Sequence, residues 1–189
     1  IDAVNAWRCE SAARAWITNW LSSECDYAMT IDMPLWARAN KGFSSPFHRC
    51  TVQELIAMTV QNLRYIDAFS PPHVKWLNVI QGGPTVVDAI AWWDQVKWFR
   101  KGGWAMAGSA GMAGGLFYML MVLLMMRDDN AFEKGQEWMH VLGVSQPTWA
   151  VLLTAIQRGI RSNCDNESFR VSYDSASPFQ AGGRYRSEE

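Results

Sequence analysis

Cysteine, histidine and excess charge are what this sequence has least of. Cys9, Cys25, Cys50 and Cys164 are the only four cysteines among 189 residues. They lie far apart, without Cys-x-x-Cys spacing, in a chain too large to need disulfide staples, so reduced thiols and a cytoplasmic setting are expected. Of three histidines, His48 stands near Cys50, but two ligands without two more at zinc spacing make no metal site, and none is expected. With 17 basic against 18 acidic residues the net charge is −1, which excludes a global positive field; nucleic-acid contacts, if any, must be local. No charged segment leads into an apolar stretch with a small-residue cleavage site, so no signal peptide is expected. A long hydrophobic run is missing too. Trp104 to Met126 is twenty-three residues without a charge, long enough for a membrane span, but Gly108, Gly111, Gly114 and Gly115 divide it. Only LFYMLMVLLMM remains unbroken, too short to cross a bilayer. A strand, a glycine turn and a buried helix are expected there, and no membrane partner.

What is present is core-forming material: 49% of the residues are hydrophobic, enough for one sizeable core, so residues 1–189 are read as a single domain. A helical period over Ala3–Leu21 leads to the strand DYAMTID (26–32). TVQELIAMTVQNLRYIDAF follows as a helix, with Thr51 as N-cap and Glu54 completing a capping box. Then come the strand WLNVIQ (76–81), a helix over VVDAIAWWDQVKWFRKG (86–102), the strand WAMAG (104–108) and the apolar helix. After a polar break at Arg127–Lys134 stand the strand MHVLGV (139–144), a helix opened by Pro147, and the strand FRVSYDSAS (169–177), of which 169–175 is taken as extended. Unbroken apolar strands alternating with helices mean a parallel sheet in an α/β fold.

A doubly wound sheet and a TIM (β/α)8 barrel both satisfy this order. Asp32, Gln81, Gly108, Gly143 and Asp174 all fall at or just past C-terminal strand ends, the face where barrel enzymes collect their active sites. An open sheet would instead be expected to carry a Gly-x-Gly-x-x-Gly turn. GSAGMAGG is a poor match, because no acidic residue ends a further strand about twenty positions later. A partial barrel of about five β-α units is therefore expected, with the missing strands preceding Ile1 and the chain a fragment.

These strand ends also carry a resemblance. An Asp ending one strand (TIDMP), VIQGG, the strand GGWAMAGSAG, HVLGVSQP and a last strand closing in YDSASPF, in this order, resemble the C-terminal half of the tRNA-guanine transglycosylase barrel over about residues 26–180. The eleven tryptophans and the divergent sequence look more like the DpdA-type DNA 7-deazaguanine transglycosylases of phages and bacterial genomic islands. The resemblance implies a pentosyltransferase that inserts a 7-deazaguanine base such as preQ0 into DNA, with tRNA as the alternative acceptor. A barrel that binds nucleic acid without catalysis is a further alternative, and a homodimer or partner proteins remain open.

By the same resemblance Asp174 is the catalytic nucleophile that traps the sugar carbon, as in retaining glycosidases. Asp32 is the base-recognising carboxylate, and Gln81, Gly82, Gly108, Ser109 and Leu142 line the base pocket. The Cys-x-Cys-x-x-Cys zinc cluster of the tRNA enzymes does not follow Asp174, so no cofactor is expected in this chain, though zinc is possible in a longer protein. The family's acid/base Asp-Ser-Gly-Gly motif is also missing, which predicts inactivity for this chain alone. Arg184 and Arg186, flanking Tyr185, are candidate nucleic-acid contacts, and Arg158 and Arg161 are cations close by. Trp92, Trp93 and Trp98, at helical spacing, are expected to pack against the sheet. A nucleophilic carboxylate needs hydrogen-bond donors around it rather than an apolar pocket, and Ser175 and Ser177 are the nearest in sequence to Asp174.

Overall fold

The computed structural model of the protein describes residues 10–38, 46–81, 85–107, 115–144 and 147–174. Five helices alternate with five strands over these residues: α1 (Glu10–Glu24), β1 (Tyr27–Met29), α2 (Val52–Phe69), β2 (Lys75–Gln81), α3 (Val86–Val96), β3 (Gly103–Ala107), α4 (Gly115–Asp128), β4 (Trp138–Val141), α5 (Pro147–Asn163) and β5 (Arg170–Tyr173). Short 3-10 turns stand at Leu35–Arg38 and Pro46–Arg49.

All strands are parallel, in the order β1-β2-β3-β4-β5. A sheet built from consecutive right-handed crossovers in strict sequence order carries its helices on one face, which is the barrel arrangement and not the doubly wound one. Alternation along the strands shows the two faces. Ile80, Trp104, Met106, Met139 and Val141 point outward into the main core with Leu55, Leu63, Trp92, Trp93, Val122 and Leu153 from the helices. Leu77, Val79 and Ala105 point inward with Met29, Ala107 and Trp138. The sheet curls around this inner face. Tyr27 on β1 meets Trp138 on β4 edge-on at 4.9 Å between centroids, whereas a flat sheet would hold strands three places apart at about 14 Å. The fold is α/β, a curled half-barrel consistent with a partial (β/α) barrel.

Local chemistry explains most boundaries. Thr51 accepts from the Glu54 amide at 3.2 Å while the Glu54 carboxylate accepts from the Thr51 amide at 2.7 Å, the expected capping box. Thr51→Ala should lower stability by about 1 kcal/mol, read as a lower urea midpoint with an unchanged m-value. α3 stops at Val96, short of the expected Gly102. Buried Asn78 on β2 donates its amide to the carbonyls of Val96 (3.1 Å) and Phe99 (3.0 Å), which ends the helix by drawing that turn onto the sheet. Trp98 consequently swings outward and is 76% exposed, against the expectation that it packs on the sheet. Trp92 and Trp93 do pack there, Trp92 donating to the Val79 carbonyl at 3.2 Å.

β1 ends at Met29 instead of Asp32, because the chain beyond it is captured by α2. Asn62 donates to the Ile31 carbonyl at 3.0 Å, and the Met33 amide donates to Thr59 Oγ1 at 2.9 Å. β4 and β5 are likewise shorter than expected, although backbone bonds continue past them: the Val144 amide donates to the Asp174 carbonyl at 2.8 Å, and Leu142 to Met106 at 2.9 Å. No helix among the described residues is long and apolar enough to cross a membrane; the glycines from Gly108 to Gly114 lie outside the described residues.

Candidate functional site

Two polar groups stand at the C-terminal ends of the strands. The first joins β1 to β2. Gln81, 5% exposed, donates its amide to Asp32 Oδ2 and, at 3.3 Å, to the Met33 carbonyl, while its Oε1 accepts from the Leu35 amide at 2.8 Å. Both amide hydrogens are thus committed within the protein, so Gln81 positions Asp32 and the loop after β1 instead of offering donors to a ligand. The Asp32 carboxyl also takes a bond from its own backbone amide.

Burial raises the Asp32 carboxyl above the ordinary carboxylate range, with the Gln81 bond and a backbone bond pulling the other way. A carboxyl destabilised in its charged form at a strand end is a candidate ligand contact. It also has a stability consequence. Between the ordinary Asp value and the raised folded value the unfolded chain binds fewer protons than the native one, so stability falls as pH rises through that window and stays reduced above it. Asp32→Asn should therefore raise the thermal midpoint at neutral pH and remove this part of the pH dependence, as melts between acidic and neutral pH would show.

The second group joins β4 to β5. Asp174 follows β5 directly, its amide donating to the Val141 carbonyl at 3.4 Å and its carbonyl accepting from Val144. Its side chain, 60% exposed, accepts at Oδ1 from the Gly143 amide and lies 3.3 Å from His140 Nε2. Gly143 holds φ 75°, a left-handed conformation that costs glycine little and turns its N–H toward the carboxylate. The Gly143 amide and the His140 imidazole thus both lie against one oxygen of Asp174; Ser175 and Ser177 lie outside the described residues. His140 was missed from the sequence, and with it Ser172, whose hydroxyl lies 2.7 Å from His140 Nδ1.

No family model matches the chain, and no curated protein or solved structure matches it either.

The remaining expected site residues divide between placed and undescribed. Leu142 is half-buried, its amide committed to Met106. Gly82, Gly108, Ser109, Arg184 and Arg186 lie outside the described residues. Arg161 donates to the Phe169 carbonyl at 2.7 Å and serves the fold, whereas Arg158 is exposed. His48 Nδ1 lies 3.0 Å from the Arg38 carbonyl. Among the described residues no three His, Cys, Asp or Glu side chains converge to hold a metal. No hydrogen bond or ion pair among the described residues links the Asp32–Gln81 pair with the His140–Asp174 group.

On the inner face nearer the other end of the strands, Tyr27, Trp138, Arg170 and Ser172 help to line a concavity of ≈ 650 Å³. Neither carboxylate lines it. The chemistry available at the C-terminal ends is therefore that of two unlike carboxyl groups, one whose charged form burial disfavours and one exposed, its Oδ2 without a partner among the described residues.

Proposed function

We propose that the protein is a guanine-exchange transglycosylase that inserts a 7-deazaguanine base into DNA through a covalent aspartyl-sugar intermediate on Asp174. One observation carries the reading: Asp174, at the end of β5, has Oδ1 facing the Gly143 amide and His140 Nε2, and Oδ2 with no partner among the described residues. A carboxylate held on one side and open on the other suits attack on a sugar carbon, and it lies at the strand end where barrels do chemistry.

In the first half of the exchange a lone pair of Asp174 forms a bond to C1′ as the C1′–N9 bond breaks. The bonding pair leaves with the old base, which takes up a proton. In the second half the incoming base attacks C1′ through N9, loses a proton and releases the carboxylate. Asp32 recognises the base: its carboxylate accepts from the ring N1–H and the exocyclic amine, donors that replace the water lost on burial.

The test is incubation of the full-length protein with radiolabelled preQ0 and either duplex DNA or tRNA. Label in DNA supports the proposal, and label confined to tRNA moves the activity to the tRNA branch. Neither label nor base release with either acceptor would leave a barrel that only binds, and would sink it.

A further inference from the structure

A strand pairing brings the unassigned polar groups of the inner face together. His140 and Ser172 are direct partners in the β4–β5 register, and Trp138 stands opposite Arg170 one inward position earlier. Trp138 Nε1 donates to Ser172 Oγ at 2.7 Å, Ser172 Oγ lies 2.7 Å from His140 Nδ1, and His140 Nε2 lies 3.3 Å from Asp174 Oδ1.

The direction of this chain follows from its two ends. An indole N–H can only donate and an ionised carboxylate can only accept, so Ser172 Oγ accepts from Trp138 and His140 Nε2 carries the hydrogen that faces Asp174. In the neutral ring Nδ1 is then the bare nitrogen, and it takes the Ser172 proton. The imidazole is held from below: its side chain is 14% exposed against 60% for Asp174, and the edge-on contact of Trp138 with Tyr27 fixes the indole.

We infer that His140 is the positioning residue for Asp174, set in its Nε2–H tautomer by Trp138 and Ser172, and that it immobilises Oδ1 so that Oδ2 is the attacking atom. The role rests on the reading of Asp174 as nucleophile; the tautomer does not. The relay also explains why Ser172 is no nucleophile of its own, since its oxygen is held by Trp138 and its proton by an imidazole that faces a carboxylate.

The experiment has two independent readouts on the full-length protein labelled with ¹⁵N-histidine. Long-range ¹H–¹⁵N correlation at a pH where the ring is neutral should show His140 with a bare Nδ1 and a protonated Nε2. Ser172→Ala should mix the tautomers, moving the averaged Nδ1 resonance upfield toward that of a protonated nitrogen and Nε2 downfield. A protonated Nδ1 in the wild type, or spectra unmoved by Ser172→Ala, overturns the relay. In base exchange, His140→Ala should lower kcat by about 100-fold, the scale of a misplaced reacting group, with KM nearly unchanged. His140→Gln, which keeps a donor near the Nε2 position, should recover roughly a tenth of the wild-type rate or more. A full rate for His140→Ala, with the covalent adduct still on Asp174, overturns the positioning role. An expected tautomer without any adduct would uphold the relay while overturning the nucleophile assignment, so the two failures are distinguishable. The wild-type spectrum alone decides the tautomer even where a variant fails to fold.

Discussion

Asp174→Asn is expected to lower base exchange by about four orders of magnitude, the scale seen when a covalent nucleophile is removed. Asn keeps the shape of the side chain, and its carbonyl oxygen still accepts from the Gly143 amide and His140. It lacks the anionic oxygen needed to bond C1′. Because the side chain is 60% exposed, stability should change by no more than about 0.5 kcal/mol. A denaturing gel of protein incubated with its nucleic acid separates the possibilities: wild type traps an adduct and the Asn variant does not. An adduct persisting without Asp174 would hand the nucleophile's role to another residue.

The second large effect is on stability. Gly103, opposite Trp138 in the β3–β4 pairing, has no room for a side chain. A Cβ there would stand 2.1 Å from the Trp138 carbonyl oxygen and 2.9 Å from Leu77 Cδ2. The first contact is with backbone in a parallel ladder, so relief requires β3 and β4 to separate. Gly103→Ala should therefore cost about 3 kcal/mol or more, at or beyond the upper end for overpacking. It should also displace Trp138 and so disorder the His140 tautomer. Gly159→Ala is the control: nothing lies within 4 Å of its Cβ position, and alanine in the middle of α5 should stabilise by about 0.5–1 kcal/mol. Urea melts of the two variants moving in the same direction would contradict this account of Gly103.

Several elements were readable because their causes are local. Thr51 and Glu54 cap α2 within four residues of one another, and Pro147 opens α5 with a φ already suited to a helix. WLNVIQ and WAMA are strands because a short, mostly apolar run buried on both faces has no other use between helices. Trp98 was misread because what ends α3 is Asn78, about twenty residues away in sequence and on another element. Gln81 stands where a polar strand end was expected, but its partners Asp32, Met33 and Leu35 belong to a loop that α2 draws back over the strand.

The candidate site shows the same division. RVSYD puts Ser172 and Asp174 on one face by the two-residue period alone, and HVL does the same for His140 and Leu142. From the sequence by itself came the α/β class, parallel strands, helices on their caps, and carboxyl groups at strand ends. Which carboxyl is shielded, which is open, and that an imidazole stands between Ser172 and Asp174 were decided by the tertiary structure. Periodicity sets the face a side chain takes, but only the pairing of β4 with β5 sets its neighbour. That register is held by contacts between residues some thirty positions apart, which no local pattern encodes.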